Sequence, residues 1–249
     1  DVERSRGLGD VYKRQIKRLS LLIFSVIFCL TTFCCHADDV RRYTSAQIKS
    51  YVDNTPRNVE NNIAPLVRYL TKPFNDDYDK AKAIAYWIAS RIYYDDFLYS
   101  GTDNKDTYLR KGYQKQTPAK LLRSRTGICI DYANLFTAMC RKAGVTARVI
   151  YGYAYPAQTA FSPAVRKNNA HAWNYFYYKG SKIYVDPTFM AGGTLGADAY
   201  PNSAKRNRAL RQLRKDNKTQ SMKSSVNDYY FDFSYQDEKR THGQVHKER

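Results

Sequence analysis

Three residues in this 249-residue chain could together perform covalent chemistry: Cys129, two positions after Gly127; His171, heading the run HAWNYFYY; and Asp186, directly before Pro187-Thr188. Cys129 opens the most regular helical stretch of the chain, which Gly144 ends. Free N–H groups and the helix dipole at a first turn favour an anion and lower a thiol pKa. Taken alone, a cysteine on an apolar helical stripe is most often a small buried hydrophobe, and Cys140, at the far end of the same stretch, is read that way. Histidine is informative by scarcity. From residue 38 onward the chain has His171, His242 and His246, and the last two fall in a charged segment, 236–249, that reads as a frayed tail. A histidine base in the folded part is therefore assigned to His171. Asp186 ends a strand, where an aspartate commonly closes a turn. Thiol, imidazole and carboxylate in this chain order carry the logic of a nucleophile, its base and the group that orients the base.

The elements that must position these residues can be read from periodicity. Helices are expected from Ser45, over Asn58 to Leu70 and over Asp77 to Ile92, the last with Trp87 as core. Thr117 caps a short helix with Pro118 at its first position. Cys129 to Ala143 is the nucleophile helix, and Val145 to Tyr155 is rich in β-formers. Strands His171 to Tyr178 and Lys182 to Pro187 flank Lys179-Gly180-Ser181, a hairpin signal. With a two-residue loop, positions whose numbers sum to an odd value share a face, so His171 and Asp186 come within side-chain reach; a three-residue loop puts them on opposite faces. Tyr94 to Gln116 reads as a long surface connection, and Tyr229 to Tyr235 as a last strand packing back on the core.

The stretches GICIDYANLFTAMCRKAGVTARVIYGY (127–153), HAWNYFYYKGSKIYVDPT (171–188) and AKAIAYWIASRIYYD (81–95) closely resemble the transglutaminase-like superfamily, and within it the bacterial and kyphoscoliosis-peptidase-like branch. The resemblance covers about Asn58 to Gly193. It implies an α+β, papain/transglutaminase-like fold with N-terminal helices and a nucleophile helix packed on an antiparallel β-sheet. It also implies Cys129 as nucleophile, His171 as base and Asp186 as the group orienting it, acting on peptide or glutamine-like amides through a thioester. Hydrolysis and transamidation both remain open, as does a catalytically silent scaffold that binds envelope or protein partners. Asp131 is read as a local hydrogen-bonding or capping group, and Trp173 as core. The Cys129 backbone N–H is the expected oxyanion donor. The chain has no CxxC pair, no acidic cluster with EF-hand spacing and no Gly-rich phosphate loop, so no metal and no cofactor is expected.

Composition bounds the rest. With 43% hydrophobic and 26% charged residues, the chain can form a packed core and is not of disordered type. Ile16 to Ala37 has the three-part plan of a cleaved signal peptide, which implies a secreted or periplasmic protein. The alternative is a membrane anchor formed by uncleaved 19–33. Residues 1–15 read as non-native read-through. The domain is then expected over 44–195, followed by a basic extension, 196–249. Export removes Cys29, Cys34 and Cys35, and leaves Cys129 and Cys140, which on one helix lie too far apart to pair. The formal charge is +18, of which the segment 205–223 carries +7. That segment is expected to hold an exported protein near anionic envelope polymer or lipid. No nucleic acid is expected as a partner; a protein or peptide is the expected substrate.

Overall fold

A computed structural model describes residues 43–95, 116–154, 170–195, 208, 211 and 223–244, which fall in one compact unit, Arg42–Arg249. The expected signal segment, the connection 96–115, the loop 156–169 and nearly all of the basic segment 205–223 lie outside the described residues. No helix among the described residues is long and apolar enough to cross a membrane.

Helices α1 (Ser45–Asp53), α2 (Ile63–Thr71) and α3 (Asp77–Arg91) start at the side-chain caps Thr44, Asn62 and Asp76. Each cap oxygen accepts a first-turn N–H that has no partner within the helix. The second helix begins five residues later than periodicity suggests, because Arg57–Val59 forms a separate 3-10 turn. Strand β1 (Tyr93–Asp95) follows. Helix α4 (Pro118–Ser124) has Thr117 as cap and Pro118 at its first position, as expected. It ends at Arg125, whose φ of 61° turns the chain back into strand β2 (Thr126–Gly127). Helix α5 (Cys129–Lys142) begins immediately afterwards.

The main sheet contains β3 (Ala147–Ala154), β4 (Ala170–Tyr178), β5 (Ser181–Val185), β7 (Phe231–Phe233) and β8 (His242–Gln244) in the order β7-β5-β4-β3-β8, all antiparallel. A smaller parallel sheet, β2-β1-β6, with β6 at Thr194–Leu195, was not legible in the sequence. The fold is α+β, as expected. Helix α5 lies against the sheet through Asn174 of β4, whose Nδ2 reaches Ala133 O (3.1 Å), Thr137 Oγ1 (2.9 Å) and Arg148 O (3.1 Å). One buried amide thereby ties the helix to two strands. Trp87, Trp173 and Cys140 are all fully buried in the core.

The C-terminal segment departs from expectation. The last strand appears as β7, but 236–244 is no frayed tail: α6 (Tyr235–Thr241) is capped by Ser234 and leads into β8. Glu238, Thr241 and His242 are buried, so a segment that reads as uniformly charged places selected side chains inward. Its strands β7 and β8 form both edges of the main sheet, around the three strands β5-β4-β3.

The approach to α5 is tightly packed. A Cβ at Gly127 would lie 2.8 Å from Leu121 Cδ1, 2.9 Å from Asp131 Cβ and 2.9 Å from Asp131 Oδ2. Asp131 has little freedom to move, because Oδ2 accepts the Ile128 N–H (3.1 Å) and Oδ1 the Gln116 N–H (2.9 Å). Gly127→Ala is therefore expected to destabilise the fold by about 1–3 kcal/mol in urea denaturation. An unchanged midpoint and slope would show that this approach is not constrained.

Candidate functional site

The hairpin between β4 and β5 is closed by two residues, Lys179 (φ 48°) and Gly180 (φ 82°), with Tyr178 paired to Ser181. Positive φ at both positions is the geometry of a type I′ turn, which matches the twist of the flanking strands. The two-residue loop sets the parity, and the structure brings His171 and Asp186 together: His171 Nε2 lies 2.7 Å from Asp186 Oδ2. Across β3, His171 pairs with Gly152.

Cys129 occupies the first position of α5. Its N–H belongs to the first turn of the helix, where no carbonyl of the same helix is available to it. The side chain packs with Ala133, Val149 and Ala172, and the residue is 6% exposed. Ile130 and Tyr151 flank this cluster. The Cys129 side chain packs on Ala172, next to His171 in β4, and lies close enough to the imidazole to favour its charged form. Asp186 holds the ring at Nε2, which leaves Nδ1 for the sulfur. The three residues singled out in the sequence are thus contiguous in space. Asp131 is a backbone anchor, as its position suggested. Cys140 is buried and unpaired at the other end of the helix, where burial pushes its thiol pKa well up.

The carboxylate of Asp186 is wholly buried and surrounded by donors. Oδ1 accepts the backbone N–H groups of Thr188 (2.9 Å) and Phe189 (3.1 Å). Oδ2 faces both His171 Nε2 and, at 3.0 Å, His242 Nε2. An ionised carboxylate offers about four acceptor directions, and here all four are filled. Burial opposes its charge, but His171 outweighs it by charge and hydrogen bond, with help from His242, and the Asp186 pKa is held far below the usual carboxylate range. For His171, burial opposes the imidazolium. The charge and hydrogen bond of Asp186 overcome that opposition, the hydrogen bond and charge of Cys129 add to them, and the pKa rises to about 10. His242 goes the other way: its pKa is lowered by burial and by the neighbouring His171, against the attraction of Asp186.

Sequence reading missed His242 by assigning it to the tail. The signal was available: the scarcity that selects His171 applies equally to His242, and Ser234 with Asp237 three residues on is a helix-start pattern. His171, Asp186 and His242 each offer an atom within 4.8 Å of the others, a spacing a metal ion could bridge. Every one of these atoms already serves a short hydrogen bond between an imidazole and a carboxylate. That accounts for the cluster without an ion.

Comparison with known proteins follows the same residues. Residues 64–187 match the model of the transglutaminase-like superfamily. The chain is 32% identical over 138 residues to kyphoscoliosis peptidase of Mus musculus and 33% identical over 131 residues to that of Homo sapiens; these alignments take in 54% and 51% of this chain. They span only 19% and 18% of the relatives' lengths. Among solved structures, the periplasmic domain of TgpA from Pseudomonas aeruginosa, bound to ethylmercury, aligns over 59% of this chain and 50% of its own, with 20% identity and a TM-score of 0.39.

The shifted pair makes stability depend on pH. A histidine raised from 6.5 to about 10 contributes fully below pH 6.5 and loses that contribution as pH rises to about 10. A carboxylate depressed from 3.8 contributes above that value and less as pH falls further. His171→Ala should therefore lower stability most between about pH 4 and 6.5, by about 3 kcal/mol, and progressively less toward pH 10. Thermal melts of both proteins across this range test the sign; a deficit that grows toward pH 10 contradicts it.

Proposed function

Because the chain carries a domain of the transglutaminase-like superfamily, we propose that it is a cysteine-dependent hydrolase or acyltransferase in which Cys129, His171 and Asp186 act on peptide or glutamine-like amides. The observation that carries this reading is the placement of Cys129, at the start of α5, beside His171, whose Nε2 is held by Asp186. The peptidase named in the mammalian relatives agrees with it in reaction class.

In the proposed reaction the thiol proton resides on His171 as the sulfur attacks the amide carbonyl carbon. The carbonyl electron pair moves onto oxygen, where the Cys129 N–H donates a hydrogen bond. The C–N bond then breaks, and the imidazolium gives its proton to the departing amine. Asp186 keeps Nε2 protonated throughout, so that Nδ1 is the nitrogen that exchanges the proton. Water or a second amine resolves the thioester, with His171 now accepting the attacking group's proton. Water releases the acid, whereas an amine forms a new amide. The reading extends to an exported protein, on the strength of the segment Ile16 to Ala37.

Alkylation with iodoacetamide at neutral pH, followed by peptide mapping, tests the proposal. Cys129 should react at least about tenfold faster than the inert, buried Cys140, and His171→Ala should abolish the preference. Equal, slow labelling of both thiols would remove the enzymatic reading and favour a silent scaffold. Product analysis with and without an added primary amine then separates hydrolysis from transfer.

A further inference from the structure

The C-terminal segment places one more functional group against the candidate site than the superfamily match at 64–187 covers. His242 is the first residue of β8 and is fully buried. Its ring sits among aromatic side chains: Trp173 at 4.8 Å between centroids, Phe233 stacked at 5.0 Å, Phe189 at 5.5 Å and Tyr230 at 6.4 Å. A nonpolar cage of this kind would serve any aromatic residue. What a nonpolar residue could not supply is the polar edge. Nε2 lies 3.0 Å from Asp186 Oδ2, and Nδ1 lies 2.7 Å from Thr241 Oγ1.

The proton positions follow from the partners. Oδ2 of an ionised carboxylate can only accept, so Nε2 of His242 carries a hydrogen. Nδ1 lies against the Thr241 hydroxyl, whose one proton also has the Asp237 carbonyl within reach at 2.7 Å, so it is the contact with Asp186 that sets the hydrogen on Nε2. Asp186 Oδ2 therefore receives one N–H from His171 and one from His242, while Oδ1 is fixed by two backbone donors. The charged and titratable groups that bear on His242 are Asp186, from the turn after β5, and His171, from β4, which in turn touches Cys129 on α5.

We propose that His242 is a positioning residue of the candidate site: its Nε2–H fixes the Asp186 carboxylate, and so the orientation of the His171 imidazole toward Cys129. The site is then complete only when the segment 228–244 is docked. The same segment supplies the backbone acceptor at Tyr230 for the Asp186 N–H (2.9 Å). The extension is part of the machinery rather than an appendage to it. The inference rests on the proposed thiol chemistry, and its test is arranged so that the two can fail separately.

Iodoacetamide labelling of Cys129 is compared in the full chain for wild type, His171→Ala, His242→Phe and His242→Gln, with thermal melts run in parallel. Phenylalanine keeps the aromatic packing and removes the donor; glutamine places an amide N–H near the Nε2 position and sacrifices the packing. Loss of one hydrogen bond to a charged group should slow labelling of His242→Phe about tenfold, while His242→Gln stays within about threefold of wild type. The reverse order would mean that His242 acts through packing, and equal rates, or equal losses, in both variants would equally overturn the proposal. If His242→Phe does not fold, the imidazole nitrogen shifts of wild-type His242 decide: a neutral ring protonated at Nε2 upholds the proposal, and one protonated at Nδ1 overturns it. Labelling of wild type that is slow, or unchanged by His171→Ala, would instead defeat the underlying thiol chemistry.

Discussion

One buried carboxylate organises this part of the molecule. Asp186 sits where β5, the turn that follows it, β4 and the C-terminal segment converge, and each contributes to its environment. A lone ionised carboxylate with no exposure to solvent would carry a desolvation cost of several kcal/mol. Four donors, one of them the His171 imidazolium, offset that cost. The arrangement is mutual: the carboxylate holds His171 charged, His171 holds the carboxylate ionised, and the shared Oδ2 draws His242 into the same network. Removing any one member leaves a buried charge or donor unmatched, which is why geometry and protonation are coupled so closely here.

The coupling gives the two histidines opposite characters although they share one acceptor atom. His171 is slightly exposed at the site, beside the thiol, and is driven toward the cationic form. His242 is sealed within aromatic rings and is driven toward the neutral form. Two cations beside a single carboxylate would repel each other, so burial decides which ring is charged. The result is one charged imidazole beside Cys129 and a second, neutral one whose Nε2 faces the same carboxylate oxygen.

Much of this was legible in the sequence, for physical reasons that can be stated. Thr117-Pro118 and the Gly144 stop mark helix ends because caps act within a few residues. Lys179-Gly180-Ser181 marks a hairpin because Gly180 takes positive φ at no steric cost, but the loop length, and with it the parity that joins His171 to Asp186, is settled only by the two-residue turn of the structure. Cys129 was legible because the start of a helix is itself a local signal. His242 was not, because its partner lies 56 residues away and the seven residues of α6 are too few to establish a periodicity. The last strand was legible from the alternation within Tyr229 to Tyr235, of which Phe231–Phe233 forms β7. The helix start at Ser234 and Asp237 is a local signal, but which side chains of so short a charged segment turn inward is decided by partners far away in the chain.

The direct test of the account is the charge of His171 in the intact protein. A titration of its imidazole carbon and nitrogen resonances should find the ring doubly protonated through neutral pH, losing its proton near pH 10. A ring that titrates near 6.5, like a free imidazole, would mean that Asp186 does not hold it, and the central claim would fail.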